Sequence, residues 1–325
     1  MILDGHNDVA LRVWLGQEPK HVRLAEAAES GFAGGFFALS TLADMPDLPR
    51  EPPYAHPLPA PATHAKACAD VEAQLAALQS LPVTIVRGVD EIRPGRVNAI
   101  VHFEGAEAVA PDLSDLEDWY ARGLRSLGIV WSRPNDFGEG VPFRFPSSPD
   151  VGGGLTEAGR ELVRVCNRLG IMVDVSHLTE AGFWDVAEET EVPLVATHSN
   201  PHALCPVTRN LTDRQLDAVG ESGGVVGVNF AVSFLRADGA NDVAGTSFTE
   251  IVRHVDYVAS RLGIEHVALG SDFDGADVPG DLDGIAGLPL LVEALRAAGH
   301  DEESLALITH RNWLRVLGET WRTSR

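Results

Sequence analysis

Six side chains able to hold a cation or move a proton stand at the ends of short apolar runs in this chain. They are His6 and Asp8 in "MILDGHNDVALR", Glu104 in "VNAIVHFEG", His177 in "IMVDVSH", His198 in "PLVATHS" and Asp272 in "HVALGSDF". In an extended strand residues i and i+2 share a face, so His6 and Asp8 project side by side. Imidazoles and carboxylates without a thiolate suit a divalent cation. Zinc fits best, and manganese, iron or cobalt can be accommodated. The set is large enough for two cations, which sit about 3.5–4 Å apart when an anion bridges them. A glutamate can give one oxygen to each.

Taken singly, each residue has a plainer explanation. A strand-end histidine is often just a hydrogen-bonded structural residue. Glu104 could be a carboxylate favoured at a helix start, and Asp272 and Asp274 in "GSDFDGAD" could cap a turn. What separates the set from accident is position: independent accidents would scatter along the strands and over both ends.

The elements that must position these residues follow from the pattern of apolar runs. Strands are expected at 1–6, 34–40, 97–105, 125–132, 171–177, 193–199, 224–230 and 266–273. Helical spacing marks 64–81, 156–170, 179–189, 212–223 and 248–263, with Thr or Ser at the N-cap positions and glycine closing 156–170 and 248–263. Strands alternating with helices require parallel pairing, and the closed solution is a (β/α)8 TIM-type barrel. Its working face lies at the C-terminal strand ends, where all six residues fall.

The barrel is expected to be somewhat distorted. Residues 41–63 hold seven prolines, too many for a helix or a central strand, and read as an excursion at the barrel mouth, a lid or a surface loop. A second long loop spans 132–154. No repeat or linker divides the chain, so residues 1–325 read as a single barrel domain.

Composition narrows the partners. With 25 basic and 47 acidic residues the net charge is −22, which argues against nucleic acid and anionic membrane surfaces. No apolar run is long enough to span a bilayer, and no signal peptide is legible. Cys68, Cys166 and Cys205 have no paired spacing and read as inert buried thiols in a reducing compartment, so the expected location is the cytoplasm.

The run "DGHND", followed by "VHFEGAEAV", "VDVSHLTEAGFWDV", "VATHSNPHALCPVTRNLTD" and "ALGSDFDG", resembles the membrane (renal) dipeptidase family of binuclear zinc peptidases, a branch of the amidohydrolase-type barrels. The resemblance implies two zinc ions. His6, Asp8 and Glu104 would surround one, Glu104, His177 and His198 the other, with Glu104 as the bridge. It implies Asp272, rather than Asp274, as the acid of the eighth strand. Arg209 and Asn210 match the family's substrate-binding "RN", where a guanidinium can grip a peptide C-terminus bidentately. A helix-entry salt bridge is the plainer reading of Arg209. One position departs: where membrane-type members carry a substrate-contacting histidine in "LTH", this chain has Trp131, whose indole can only donate. A side chain such as Arg133 would then share in holding an oxyanion. Family members often pair, so a homodimer is implied as well.

The activity implied is hydrolysis of dipeptides, including those with a C-terminal D-residue, by a metal-bridged hydroxide, with Glu104 and Asp272 as the catalytic residues and Asp272 as the proton shuttle. The nearer alternative is another metal-dependent amidohydrolase on the same barrel, acting on N-acyl amino acids, lactones or phosphotriesters. The remote one is a non-catalytic binding protein. Of the remaining histidines, His21, His56, His64, His254, His266, His300 and His310 read as structural or exposed. His102 reads as a partner lying deeper behind Glu104, and His202 could reach the pocket mouth.

Overall fold

The computed structural model describes residues 1–43 and 51–321. Eight strands follow one another around a parallel sheet: β1 (Ile2–Asn7), β2 (Phe32–Ser40), β3 (Asn98–Glu104), β4 (Leu124–Gly128), β5 (Met172–Asp174), β6 (Val195–Ala196), β7 (Val225–Val228) and β8 (Val267–Leu269). Every residue of β3 and of β1 is buried, as a strand covered on both faces requires. The sheet closes where Asp272 N–H donates to His6 O (3.0 Å) and Asp8 N–H to Phe273 O (2.8 Å). A (β/α)8 barrel results, with a short extra strand, Thr84–Ile85, paired to β3.

All eight expected strands are present, but the later ones are shorter than their apolar runs. Their ends are held by side chains instead of by a ladder. Asp174 Oδ1 accepts from the N–H of Ser176 (3.0 Å) and of Thr197 (2.8 Å). Asp4 accepts from the N–H and hydroxyl of Ser271, both at 2.7 Å. A carboxylate that takes up backbone donors in this way ends regular pairing and turns the chain into the working loops.

The expected helices form as α2 (His64–Ser80), α4 (Glu157–Leu169), α5 (Glu180–Glu189), α6 (Asp213–Glu221) and α7 (Thr249–Leu262). Thr63, Thr156 and Thr179 accept the capping bonds their positions predict, and Thr212 with Gln215 forms a capping box. The α7 start departs from this pattern, for its N-cap is Phe248. Short helices α1 (Val9–Trp14) and α3 (Leu116–Arg122) and the C-terminal α8 (Leu288–Ala297) and α9 (Asn312–Thr320) complete the ring.

Trp313 of α9 plugs the barrel floor, packed with Leu3, Phe36, Ile100, Met172 and Val225. Above it the strands come unusually close. A Cβ on Gly227 or Gly270 would sit 2.0 Å from the Thr197 carbonyl oxygen, so only glycine lets the residue before His198 lie at the barrel axis.

The proline-rich stretch 41–63 lies partly outside the described residues. Of its described part, Tyr54–Ala55 pairs antiparallel with Arg144–Phe145 from the 132–154 loop. Thr41, Leu42, Ala43 and His56 line the cavity at the strand ends, so both long segments belong to the barrel mouth.

Candidate metal centre

Glu104, the last residue of β3, stands at the centre of the cluster. Its Oε1 is 3.0 Å from His177 Nε2, 3.5 Å from His198 Nε2 and 3.6 Å from His6 Nε2. Asp8 Oδ2 lies 3.3 Å from His6 Nε2, and Asp272 joins His6 and His198 with donor atoms within 4.8 Å of one another. The His6 and His198 rings stack at 3.8 Å, and His177 Nε2 is 3.2 Å from His198 Nε2. The six residues read from the strand ends thus meet at one spot.

The backbone is bent to bring them there. His177 and Asp272 adopt φ of +68° and +60°, a left-handed conformation that costs a non-glycine residue about 1–3 kcal/mol and gathers at functional sites. Asp272 Oδ2 accepts from Asn229 Nδ2 (2.9 Å) while its carboxylate faces the cavity. Asp274 is used differently. Its oxygens accept from the N–H groups of Lys20, His21 and Val22 at 2.7, 3.1 and 3.0 Å, anchoring the loop after α1.

The donor set fits divalent cations on its own chemistry. Thr197 Oγ1 gives its one proton to Asp174 Oδ2 (2.6 Å), so it must accept from His198 Nδ1–H at 2.7 Å. That leaves the lone pair of His198 on Nε2, facing Glu104. Ser132 Oγ lies 2.8 Å from His177 Nδ1 and holds that ring in place. His6 Nε2 is wholly buried, makes no well-directed hydrogen bond and points at two carboxylates. Burial works against its charge, but Glu104, Asp8 and Asp272 outweigh it and lift its pKa to about 10. Burial raises Glu104 to about 8, and burial, then neighbouring positive charge, drives His177 and His198 well below the usual histidine range. A site that must gather protons to offset its own carboxylates is one where a cation fits.

The cavity above this cluster has a volume of about 570 Å³. Its lining combines the aromatic rings of Trp131, Phe143 and Phe234 with the polar and charged Arg12, Lys20, His21, Asp274 and Asp277. Trp131 lies at the mouth with its ring 6.0 Å from that of His177. Arg209 is buried and is not among the residues that line the cavity. Its guanidinium donates to Ser199 Oγ (3.2 Å) and to the His198 carbonyl (3.0 Å), and its charge is felt at Glu104, His177 and His198.

Several expectations need correction. Asn210 does not line the cavity, because its Nδ2 is committed to the carbonyls of Cys205 and Phe234, both at 2.9 Å. Arg133 does not either. It is buried, with Nε 2.6 Å from Glu107 Oε1 and Nη2 2.9 Å from Thr41 O, so its charge is already matched. His202 is held by the Ser147 carbonyl (2.9 Å) away from the mouth. Conversely His21 and His56, taken as structural or exposed, line the cavity. His102 is buried behind the centre, its Nε2 3.7 Å from Asp174 and its Nδ1 2.9 Å from Ser126 Oγ. Asp174, Thr197 and Ser132 were missed. Asp174 and Thr197 carried a local signal, a carboxylate inside an otherwise apolar strand and a hydroxyl next to a ligand-type histidine, whereas Ser132, forty-five residues from His177, carried none.

A parallel barrel carrying imidazoles and carboxylates at its C-terminal rim is the architecture of a metal-dependent enzyme. Comparison with known proteins is more specific. The profile of the membrane dipeptidases, peptidase family M19, matches residues 1–325, and the chain belongs to that family. It is 44% identical to a Rhodobacter sphaeroides metallopeptidase crystallised with a phosphinate mimic of L-Ala-D-Ala, with a TM-score of 0.92 covering 98% of this chain and 99% of that one. The crystal structure of dipeptidase AC, a metallopeptidase of family M19, is 45% identical with a TM-score of 0.94, covering 99% of each chain. A Klebsiella pneumoniae protein described as uncharacterised, from the pqqA 5′ region, is 52% identical over 234 residues, 72% of this chain and 86% of its own length. The chain is a metal-dependent dipeptidase. Among the described residues no helix is long and apolar enough to cross a membrane.

Proposed function

We propose that this enzyme cleaves dipeptides, including those with a C-terminal D-residue, using two zinc ions. His6, Asp8 and Glu104 hold one ion, and Glu104, His177 and His198 the other. The observation that carries this reading is the position of Glu104 Oε1, within 3.0–3.6 Å of all three imidazole Nε2 atoms. When bound, the cations lower the pKa of a water molecule toward neutrality and polarise the scissile carbonyl.

The protein's own groups do the rest. Asp272, held by Asn229 and facing the cavity, takes the proton of the attacking water and hands it to the leaving amine. Trp131, Phe143 and Phe234 exclude bulk water where they line the cavity. Arg209 supplies the positive charge that attracts the free α-carboxylate, which favours short peptides over longer chains. The phosphinate mimic of L-Ala-D-Ala bound by the Rhodobacter sphaeroides relative supports the choice of L,D-dipeptides. The free thiols suit the cytoplasm, and a homodimer is the assembly proposed.

The test is a substrate panel on zinc-reconstituted protein: L,L- and L,D-dipeptides against N-acyl amino acids, lactones and phosphotriesters. Dipeptides are expected to be turned over, and the activity should vanish with a strong chelator and return with zinc. Turnover of lactones or phosphotriesters alone would overturn the reading.

A further inference from the structure

His64 opens α2 and Cys68 follows one turn later, so both lie on one face of that helix, against the loop that follows β3. Asp115 meets them from the loop. Cys68 Sγ is 3.4 Å from His64 Nε2, Asp115 Oδ2 is 3.7 Å from the same nitrogen, and one donor atom from each residue lies within 4.8 Å of the others. Around a tetrahedral zinc, bonds of about 2.0–2.3 Å put neighbouring donors about 3.3–3.8 Å apart. The two distances to His64 Nε2 are already those of a coordination shell.

Two hydrogen bonds aim the donors. His64 Nδ1 is 3.0 Å from the Glu107 carbonyl, which can only accept, so Nδ1 carries the proton and Nε2 presents its lone pair to the cluster. Asp115 Oδ1 accepts from Ala110 N–H (2.8 Å), and Asp115 makes no side-chain capping bond to α3 although it is the N-cap residue. Its Oδ2 is left for the cluster. In the cation-free chain the Cys68 thiol has two acceptors for its one proton, His64 Nε2 at 3.4 Å and the Ala108 carbonyl at 3.5 Å. All three residues are half-buried and reachable from solvent.

We propose that His64, Cys68 and Asp115 form a further divalent-cation site, suited to a thiophilic ion such as zinc or cobalt and made of residues distinct from those at the strand ends. Coordination takes Cys68 as the thiolate, its proton passing to solvent, and water completes the shell. Burial and the carboxylates of Asp115 and Glu72 hold the Cys68 thiol above its usual range, and the same carboxylates favour a cation. An ion there clamps α2 to the segment between Glu104 and α3.

Cobalt(II) titrated into the reduced, full-length protein tests this. No donor at the strand ends is sulfur, and Cys166 and Cys205 are fully buried, so a sulfur-to-cobalt charge-transfer band reports on Cys68. The band is expected in the unaltered protein and should be lost in Cys68→Ser, with about one metal equivalent fewer bound. Asp115→Asn keeps the thiol, and should need about tenfold more cobalt to develop the band. Without any substitution, zinc should slow alkylation of Cys68 by iodoacetamide at least about tenfold. Absence of the band, its survival in Cys68→Ser, or an unchanged alkylation rate would each overturn the proposal.

Discussion

Thr197 Oγ1 lies 2.7 Å from His198 Nδ1, and because its proton is committed to Asp174 it fixes which nitrogen of that ring faces the metal centre. Partners of this kind typically hold about 10–100-fold in metal affinity. Thr197→Val, which keeps the shape and removes the acceptor, should weaken zinc binding by about that factor, while Thr197→Ser should retain it. Competition with a chromophoric chelator measures both. Equal affinity in the two variants would mean that the hydroxyl does not set the tautomer.

Among the described residues Glu104 is the one carboxylate within reach of all three imidazoles. Glu104→Gln keeps the volume but replaces one anionic oxygen with a donor group, which leaves like-charged cations without their bridging anion. Bound metal should fall below two equivalents, and kcat should drop by at least about 100-fold. Elemental analysis and dipeptide turnover on the same sample check both.

Arg133 and Glu107 form a buried ion pair, 1% and 2% exposed, that ties the loop after β4 to the loop after β3. Removing one partner leaves an uncompensated buried charge, which costs about 3–5 kcal/mol. Arg133→Met should lower stability by that amount in urea unfolding. The reciprocal Glu107→Gln should cost a similar amount, and the double variant less than the sum of the two.

Arg209 separates recognition from scaffolding. Its charge is felt by Glu104 and His177, yet its guanidinium also donates to Ser199 and to the His198 backbone. Arg209→Lys keeps a cation but loses the planar fork, so kcat/KM for free dipeptides should fall about 10–100-fold, mainly through KM. Dipeptide amides, which lack the carboxylate, should be little affected. A loss of bound zinc in place of the KM effect would assign Arg209 to supporting His198.

The barrel and its ligand-type residues were legible because both rest on local pattern. The apolar runs set the strands, and the strand ends carry His6, Asp8, Glu104, His177, His198 and Asp272. What sequence could not give is which polar groups are already occupied. Asn210 and Arg133 carry donors suited to a substrate, but the chain folds so that backbone carbonyls and Glu107 take them. Likewise His21 and His56 reach the cavity through loops, where no periodicity links residue number to direction. Cys68 read as an inert thiol until α2 was set against the loop carrying Asp115, a pairing forty-seven residues apart in the chain.

His254 of α7 lets one titration be read apart from the metal centre. It is buried, with Nε2 2.9 Å from the Leu235 carbonyl, and burial, only partly offset by that hydrogen bond, lowers its pKa from 6.5 to about 3. A folded-state pKa below the unfolded one means that the unfolded chain binds the extra proton between these values. The stability linked to His254 is therefore complete above about pH 6.5 and is lost as pH falls toward 3, at about 1.4 kcal/mol per pH unit. His254→Gln keeps an N–H donor for Leu235 but does not titrate. Urea unfolding of both proteins at pH 7, 6 and 5 should show the variant losing stability less steeply by about one proton. Parallel stability curves would mean that His254 is protonated in the folded state.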